Sequence, residues 1–390
     1  MSNEALVSTA VWSGRYGRLL SLLRDEGACT RIEVARRLSL SPTTVSRIVA
    51  QLVDAGLLIE GGSVSRAGMG RRGIEVAIAV DSYWVVGVHI GVGRVRVGIA
   101  NLVGQCRVRR TGFSFDLAAR AADIVARAGR AALGLISGAG MRRERVLGVG
   151  VAVAGPVDAD HRTLAIQINL RWEHVPIADI LERDLGIPVV VEHNVRAMAL
   201  AEVRFGMARG AGSVGFVHLR TGVGTGLVVA GQGFVGGVHG AVELGHVRVT
   251  EGGRRCLCGG VGCLETEVSE RALHLLLGRL GLPVAGGEPL AVLIQAARND
   301  RSAAAALDDL IVKLATALSA LVNLLTPEIV LLGGALEFLS DRLLDRLTRA
   351  TREAVFPIIR PAVRIARSSL GPDAGVTGAA TTALDRFVYS

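Results

Sequence analysis

Between Arg15 and Val80 the apolar residues recur first at helical and then at strand spacing. Leu19, Leu20, Leu22 and Leu23 predict a first helix that stops near Gly27. Thr30 can cap a second helix carrying Ile32, Val34, Ala35 and Leu38. After the turn at Ser39 and Leu40, Ser41 falls at an N-cap and Pro42 at the first helical position, where a missing N–H costs nothing. The third helix then gathers Val45, Ile48, Val49, Leu52 and Val53 on one face, leaves Thr43, Thr44, Ser46, Arg47 and Gln51 outward, and ends at Gly56. A short strand at 57–59, a Gly-, Ser- and Arg-rich tip at 61–73, and an alternating strand of Ile74, Val76, Ile78 and Val80 complete the pattern.

From Trp84 the texture changes. β-rich runs at 85–90 and 95–99 are separated by Gly91 and Gly93, and 105–115 extends this antiparallel start. A helix is expected at 117–137, then a buried strand at 146–153 ending in Ala154-Gly155-Pro156. A strand at 188–192 leads directly into a helix at 193–205, and further strands are expected at 214–219, 227–230 and 329–332. Strands and helices thus alternate in two broadly similar halves, which places the chain in the α/β class.

Three helices followed by a β-hairpin form the winged-helix pattern, assigned to residues 1–80. Ser41, Thr43, Thr44, Ser46 and Arg47 offer small hydroxyls and a guanidinium on the outer face of the third helix, and Arg66, Arg71 and Arg72 make the hairpin tip cationic. Such groups reach base edges and phosphates, so these residues are the candidate DNA contacts. The competing reading is a three-helix bundle with no DNA role.

Charge adds less. The net charge is +9, and Lys313 is the single lysine, so the positive charge is almost entirely arginine. Arginine forks suit phosphate and base edges, but the same imbalance can reflect genome composition. The cysteines are more informative: Cys256, Cys258 and Cys263 fall within eight residues, which points to metal rather than disulfide in a reducing compartment. With His246 they make a closed set of one imidazole and three thiolates, the donor set of a structural zinc site that leaves no position for catalytic water. Cys29 and Cys106 read as core residues. No apolar run is long enough to span a bilayer, and Met1 to Ala10 lacks signal-peptide order, so a cytoplasmic protein without membrane contact is expected.

Gly245-His246, followed by Cys256-Leu257-Cys258-Gly259-Gly260-Val261-Gly262-Cys263-Leu264-Glu265, resembles the zinc signature and following sugar-binding glutamate of the ROK proteins, a family of repressors, open reading frames and sugar kinases. The resemblance covers nearly the whole chain. It implies a two-lobed, actin-like ATPase fold, with 81–195 plus a C-terminal helix at 372–390 as the first lobe and 196–371 as the second, carrying the zinc loop and a dimer interface. It further implies that Asn169, His193, Asn194, Glu243, His246 and Glu265 line a sugar site. A polyol needs several convergent donors and acceptors to replace its water shell, and these residues supply them. Family repressors carry a winged helix in front, which implies operator DNA as partner, palindromic where a homodimer or homotetramer presents two helices.

The kinase machinery is where the sequence departs from the family pattern. The first phosphate loop, Asp-x-Gly-Gly-Thr in the kinases, reads His89-Ile90-Gly91-Val92-Gly93. The catalytic Glu-Asn-Asp reads Glu192-His193-Asn194, and an amide cannot take the proton from an attacking hydroxyl. The second phosphate motif, Gly-Thr-Gly, reads Arg220-Thr221-Gly222, with Val223-Gly224-Thr225-Gly226 behind it; Leu332-Gly333-Gly334 resembles the adenosine-side turn. The glycines at 222–226 lack the third glycine and following acid of a dinucleotide fingerprint. The expected function is a regulator, a repressor in the leading reading, whose operator affinity is set by a sugar or sugar derivative, without enzymatic activity. The alternatives are a sugar kinase with a fused DNA-binding domain, and a regulator sensing another small molecule or a protein partner.

Overall fold

The computed structural model describes residues 14–64, 73–106, 111–237, 240, 242–283 and 287–389. In the N-terminal part, α1 (Arg15–Glu26), β1 (Cys29–Thr30), α2 (Arg31–Leu38) and α3 (Pro42–Asp54) precede a hairpin of β2 (Leu58–Val64) and β3 (Gly73–Ile78). The starts of α2 and α3 follow from their caps. Thr30 and Glu33 close a reciprocal capping box, and Ser41 accepts from the Thr44 N–H ahead of Pro42. Between the two helices Ser39 adopts a left-handed conformation (φ 53°) that makes the turn. Leu19, Leu23, Val34, Val45, Ile48, Leu52 and Val76 form the core, whereas Ile32, expected on the inner face, is exposed.

The hairpin corrects one expectation. β2 runs to Val64, past a register shift between Glu60 and Ser63, so the glycine-rich stretch at 61–64 is strand and the wing is longer than its apolar part. Arg66, Arg71 and Arg72 lie outside the described residues.

Next come β4 (Trp84–Gly91), β5 (Arg94–Asn101), β6 (Thr111–Ser114), α4 (Ala121–Gly138), β7 (Val146–Val153), β8 (Leu164–Gln167), β9 (Trp172–Val175), α5 (Ile177–Leu185), β10 (Val189–His193) and α6 (Asn194–Phe205). Strands β6-β5-β4-β7-β10 form one sheet in that order, antiparallel among the first three and parallel beyond. β4 and β7 are covered on both faces, which is why they read as near-continuous Val, Gly and Ile. α4 starts four residues later than its apolar pattern suggests, because the Asp116 side chain accepts from Ala118 N–H and holds 116–119 in a turn. The expected strand at 105–115 is represented by β6, residues 107–110 lying outside the described residues; ahead of them the Asn101 side chain accepts from the Val103 and Gln105 N–H groups and turns the chain.

The second sheet repeats this plan with β11 (Ser213–Leu219), β12 (Val223–Val229), β13 (Gln232–Gly233), β14 (Ile329–Gly334) and β15 (Ile365–Arg367), in the order β13-β12-β11-β14-β15. Its helices are α7 (Leu264–Val268), α8 (Glu270–Arg279), α9 (Pro289–Ala296), α10 (Arg301–Leu325) and α11 (Asp341–Ala354); α12 (Ala374–Phe387) follows β15. β12 begins four residues earlier than its apolar run. Its Gly224 and Gly226 are strand residues against α6, where a Cβ would come within 2.6 Å and 2.3 Å of Val195 atoms.

The last helix of each half crosses over. α6 packs on β11 and β12, and α12 packs back on β4 and β7. α12 lies flush because the sheet beneath it carries glycine: a Cβ on Gly87 would stand 2.4 Å from the Val376 carbonyl oxygen, and one on Gly150 1.8 Å from that of Ala379. α6 and α12 meet just as closely, with a Cβ on Gly378 falling 2.8 Å from the Ala197 backbone. No described helix is long and apolar enough to cross a membrane.

Candidate functional site: a metal cradle beside a polar cluster

The loop after β13 and the start of α7 converge on His246, Cys256, Cys258 and Cys263, whose ligand atoms all lie within 4.8 Å of one another. Cys258 Sγ and Cys263 Sγ are 3.8 Å apart, and Cys256 Sγ is 3.6 Å from His246 Nδ1. A tetrahedral zinc with Zn–S of about 2.3 Å and Zn–N of about 2.05 Å requires edges of roughly 3.8 Å and 3.6 Å, so the four residues fit the ion. The loop must be glycine to wrap so tightly: a Cβ on Gly260 would come 3.1 Å from Cys263 Sγ, and Gly262 has φ 74° with Thr250 against it. Burial and the neighbouring sulfurs push the Cys263 thiol up to about 12, so three clustered thiolates need a cation to exist together. Lys313, the single lysine, steadies this corner through ion pairs to Glu267 and Asp309, each at 2.7 Å.

The polar residues assigned to a ligand assemble next to the cradle. His246 turns Nδ1 to the sulfurs and Nε2 to Glu243 Oε2, at 3.8 Å. Glu265, two residues past the last cysteine, accepts from Val223 N–H at 3.0 Å. A Cβ on Gly222 would push the Glu265 carboxylate, 2.4 Å away, out of its place, and a Cβ on Gly245 would meet the Val223 carbonyl oxygen at the same distance. Burial raises the Glu243 pKa, His246 lowers it, and the nearby Glu265 charge raises it again. Glu243, His246 and Glu265 are thus one cluster. Through Val223 to Gly226 it abuts the start of α6, where Asn194 and His193 are buried. Burial, then the Arg196 charge, pushes the His193 imidazole down to about 4, so it stays neutral. Asn169 lies half-buried on the β8–β9 turn, its N–H bound to Gln167 Oε1 at 2.6 Å, and no polar contact joins its side chain to the cluster among the described residues.

The pair that holds this arrangement was not singled out in the sequence. Arg196 is buried, forms an ion pair with Glu192 and donates to the Gly240 carbonyl at 2.7 Å, tying the loop that leads to Glu243 to the end of β10. Their i,i+4 spacing across the β10–α6 junction was the available signal.

His89 is half-buried against Gly375, its pKa pushed down to about 4 by burial and then by Arg96. His218, at the end of β11, is pushed down to about 3 by burial, then by His89 and Arg220. Arg220 is tied to Glu270 and Glu288 at 3.2 Å and 2.6 Å.

In the N-terminal domain, α3 and its cap present Ser41, Thr43 and Arg47 to solvent. Thr44 and Ser46 are half-buried, with the Thr44 hydroxyl bound to that of Ser41 at 2.8 Å.

Residues 17–59 match a winged helix-turn-helix DNA-binding family, and residues 85–386 match the ROK family. The chain belongs to the ROK family. Among ROK relatives, the xylose repressor of Caldicellulosiruptor bescii is 25% identical over 362 residues, 87% of each chain. A ROK transcriptional regulator homologous to Escherichia coli Mlc shares the fold over 96% of both chains, with a TM-score of 0.83 and 24% identity. A ROK glucokinase from Streptomyces griseus, solved with glucose and AMPPNP, is 29% identical and covers 77% of this chain and 98% of its own, with a TM-score of 0.66. The winged helix of the present chain precedes the region it has in common with that kinase.

Proposed function

We propose that this ROK protein is a DNA-binding transcription regulator, a repressor in its simplest form, whose operator affinity responds to a sugar or sugar derivative in the cleft. The observation that carries the reading is the joining, in one chain, of an outward α3 with Arg47 and a Glu243–His246–Glu265 cluster beside the metal cradle. Asn169, His193 and Asn194 complete the ligand site, and the lobes that enclose it are 81–195 with 372–390 and 196–371. The ion at His246, Cys256, Cys258 and Cys263 is a structural zinc. When bound, it staples the loop and fixes the His246 ring, leaving Nε2 free to meet a hydroxyl. Glu243 and Glu265 each accept from ligand hydroxyls. On DNA, two copies present paired α3 helices to a palindrome, with Ser41, Thr43, Thr44, Ser46 and Arg47 in the groove and Arg71 and Arg72 at the flanking backbone.

Phosphoryl transfer is not part of this function. Asn194 cannot accept a proton from a sugar hydroxyl, and neutral His89 stands where the kinases place a carboxylate. The test is a thermal-shift screen of monosaccharides, amino sugars and their phosphates, followed by operator binding with and without each stabilising compound. A ligand that binds without moving the operator isotherm overturns the reading.

A further inference from the structure

One helix runs from the proposed ligand residues to the DNA-binding domain. α6 starts at Asn194 in the cleft, pinned there by Val195 against Gly224 and Gly226 and by Arg196 against Glu192 and Gly240. Its 12 residues span roughly 18 Å and end beside α1 of the winged helix. Arg204, in its last turn, donates from Nε to both Asp385 oxygens, at 3.3 Å and 3.2 Å. Asp385 belongs to α12 and is shared: Arg24 of α1 places Nη1 3.5 Å from Oδ1 and lies over the Tyr389 ring. Just past α6, Arg209 donates to the Arg24 and Asp25 carbonyls at 3.0 Å and 2.6 Å, covering the exposed C-terminal end of α1.

From this geometry we propose that the Arg204–Asp385–Arg24 triad is the joint through which the cleft sets the pose of the DNA-binding domain. The proposal rests on the functional reading above and adds its means of regulation. One carboxylate serves two guanidiniums carried by different elements, Arg204 on α6 and Arg24 on α1. α6 and α12 are locked by backbone contact at Ala197 and Gly378, so α6 cannot bend to absorb a shift at its N-terminus. Helix movements of about 1–2 Å are the usual scale of switching transitions. A shift of that size, carried by α6 and α12 together, takes Asp385, which Arg204 holds, away from Arg24 and draws Arg209 off the α1 carbonyls. The remaining seat of α1 and its neighbours, formed by Ala383, Leu384, Val388 and Tyr389, is apolar and lets the domain re-seat without losing burial.

The experiment uses the full chain and a labelled duplex selected from random DNA with the wild type. D-xylose and D-glucose are the probes, with sugar binding followed by calorimetry and DNA binding by anisotropy. For Arg204→Met we expect a sugar Kd within about twofold of wild type and loss of the sugar effect on DNA, from a typical 5- to 150-fold to less than about twofold. Arg204→Lys, which keeps the charge, should restore part of the effect; a purely structural loss would not follow charge in this way. If Arg204→Met responds to sugar as wild type does, the joint is refuted while the functional reading stands. If neither sugar moves wild-type DNA binding, that reading fails for these probes, and the joint is judged by filling the cleft with Asn194→Trp. Hydrogen exchange in α1 must then change with Arg204 present and stay unchanged with Arg204→Met; equal changes in both backgrounds refute the joint. Should Arg204→Met not fold, the isosteric Asp385→Asn takes its place in every arm.

Discussion

Replacing Gly150 by alanine puts the seating of α12 to a direct test. The added Cβ would stand 1.8 Å from the Ala379 carbonyl oxygen and 2.8 Å from its carbon, both backbone atoms of α12. Ordinary contact begins at 3.4 Å, so α12 has to lift by roughly 1.6 Å or the β7 strand has to buckle. Neither is local, because the neighbouring Gly87 closes on α12 in the same manner. Overpacking of a rigid core costs about 1–3 kcal/mol, and the absence of any side chain that could rotate away puts this site at the upper end. At roughly 2–4 °C per kcal/mol, the unfolding midpoint should fall on the order of 6–12 °C. Gly148→Ala is the matched comparison: its Cβ would meet the ring of Phe387, a half-buried side chain at the end of α12 that can swing aside, so its loss should be clearly smaller. Gly134→Ala, mid-helix with nothing within 4 Å, should stabilise by about 0.5–1 kcal/mol. Scanning calorimetry of the three variants decides the matter. If Gly150→Ala melts with the wild type, or no lower than Gly148→Ala, the flush seating of α12 is wrong.

Purified protein should carry about one zinc per chain by elemental analysis, and Cys258→Ser should lose it; full zinc content in that variant would remove Cys258 from the ligand set. Arg47→Ala should reduce discrimination between operator and random DNA by about 1–3 kcal/mol, read by competition anisotropy, and unchanged specificity would displace α3 from the groove. Neither the wild type nor Asn194→Asp should phosphorylate sugars with ATP, since His89 remains, and a coupled assay giving roughly 1–100 turnovers per second would overturn this. His89 is held down to about 4 in the folded chain, against about 6.5 unfolded. Between those values the unfolded state binds a proton the folded state does not, so stability falls as pH drops from 6.5 towards 4, by about 1.4 kcal/mol per pH unit for this group. Denaturant titrations of His89→Gln should show a slope shallower by about one proton, and an unchanged slope would mean that His89 is not buried neutral.

The short-range parts of this architecture were legible in the sequence because their causes are short-range. The Thr30 and Ser41 caps, the apolar stripe of α3, and the cysteine spacing each specify a structure within a dozen residues. The glycines were harder. Gly224 and Gly226 look like a phosphate loop in the sequence but are glycine because α6 touches the strand there, and nothing near them along the chain encodes α6. The same holds for Arg24, Arg204 and Asp385, whose meeting depends on where three helices end. Of the ligand residues, Glu243, His246 and Glu265 gather around the zinc-loop motif, whereas Asn169 sits on a separate turn whose distance to them no pattern could supply.

The crossing of α6 and α12 has a consequence for how the chain comes to exist. The two sheets share one strand order, and each is covered on one face by the helix that ends the other half. Such an arrangement is a swapped pair of similar units written as a single polypeptide. During synthesis the first sheet emerges with its Gly87 and Gly150 column uncovered, and it stays so until residues 374–387 have been made, close to 290 positions after β4 began. The winged helix waits for the same segment, since Leu384, Val388 and Tyr389 complete its seat. A nascent chain therefore carries its winged helix long before the seat for it exists, and one late helix both covers the first sheet and completes that seat.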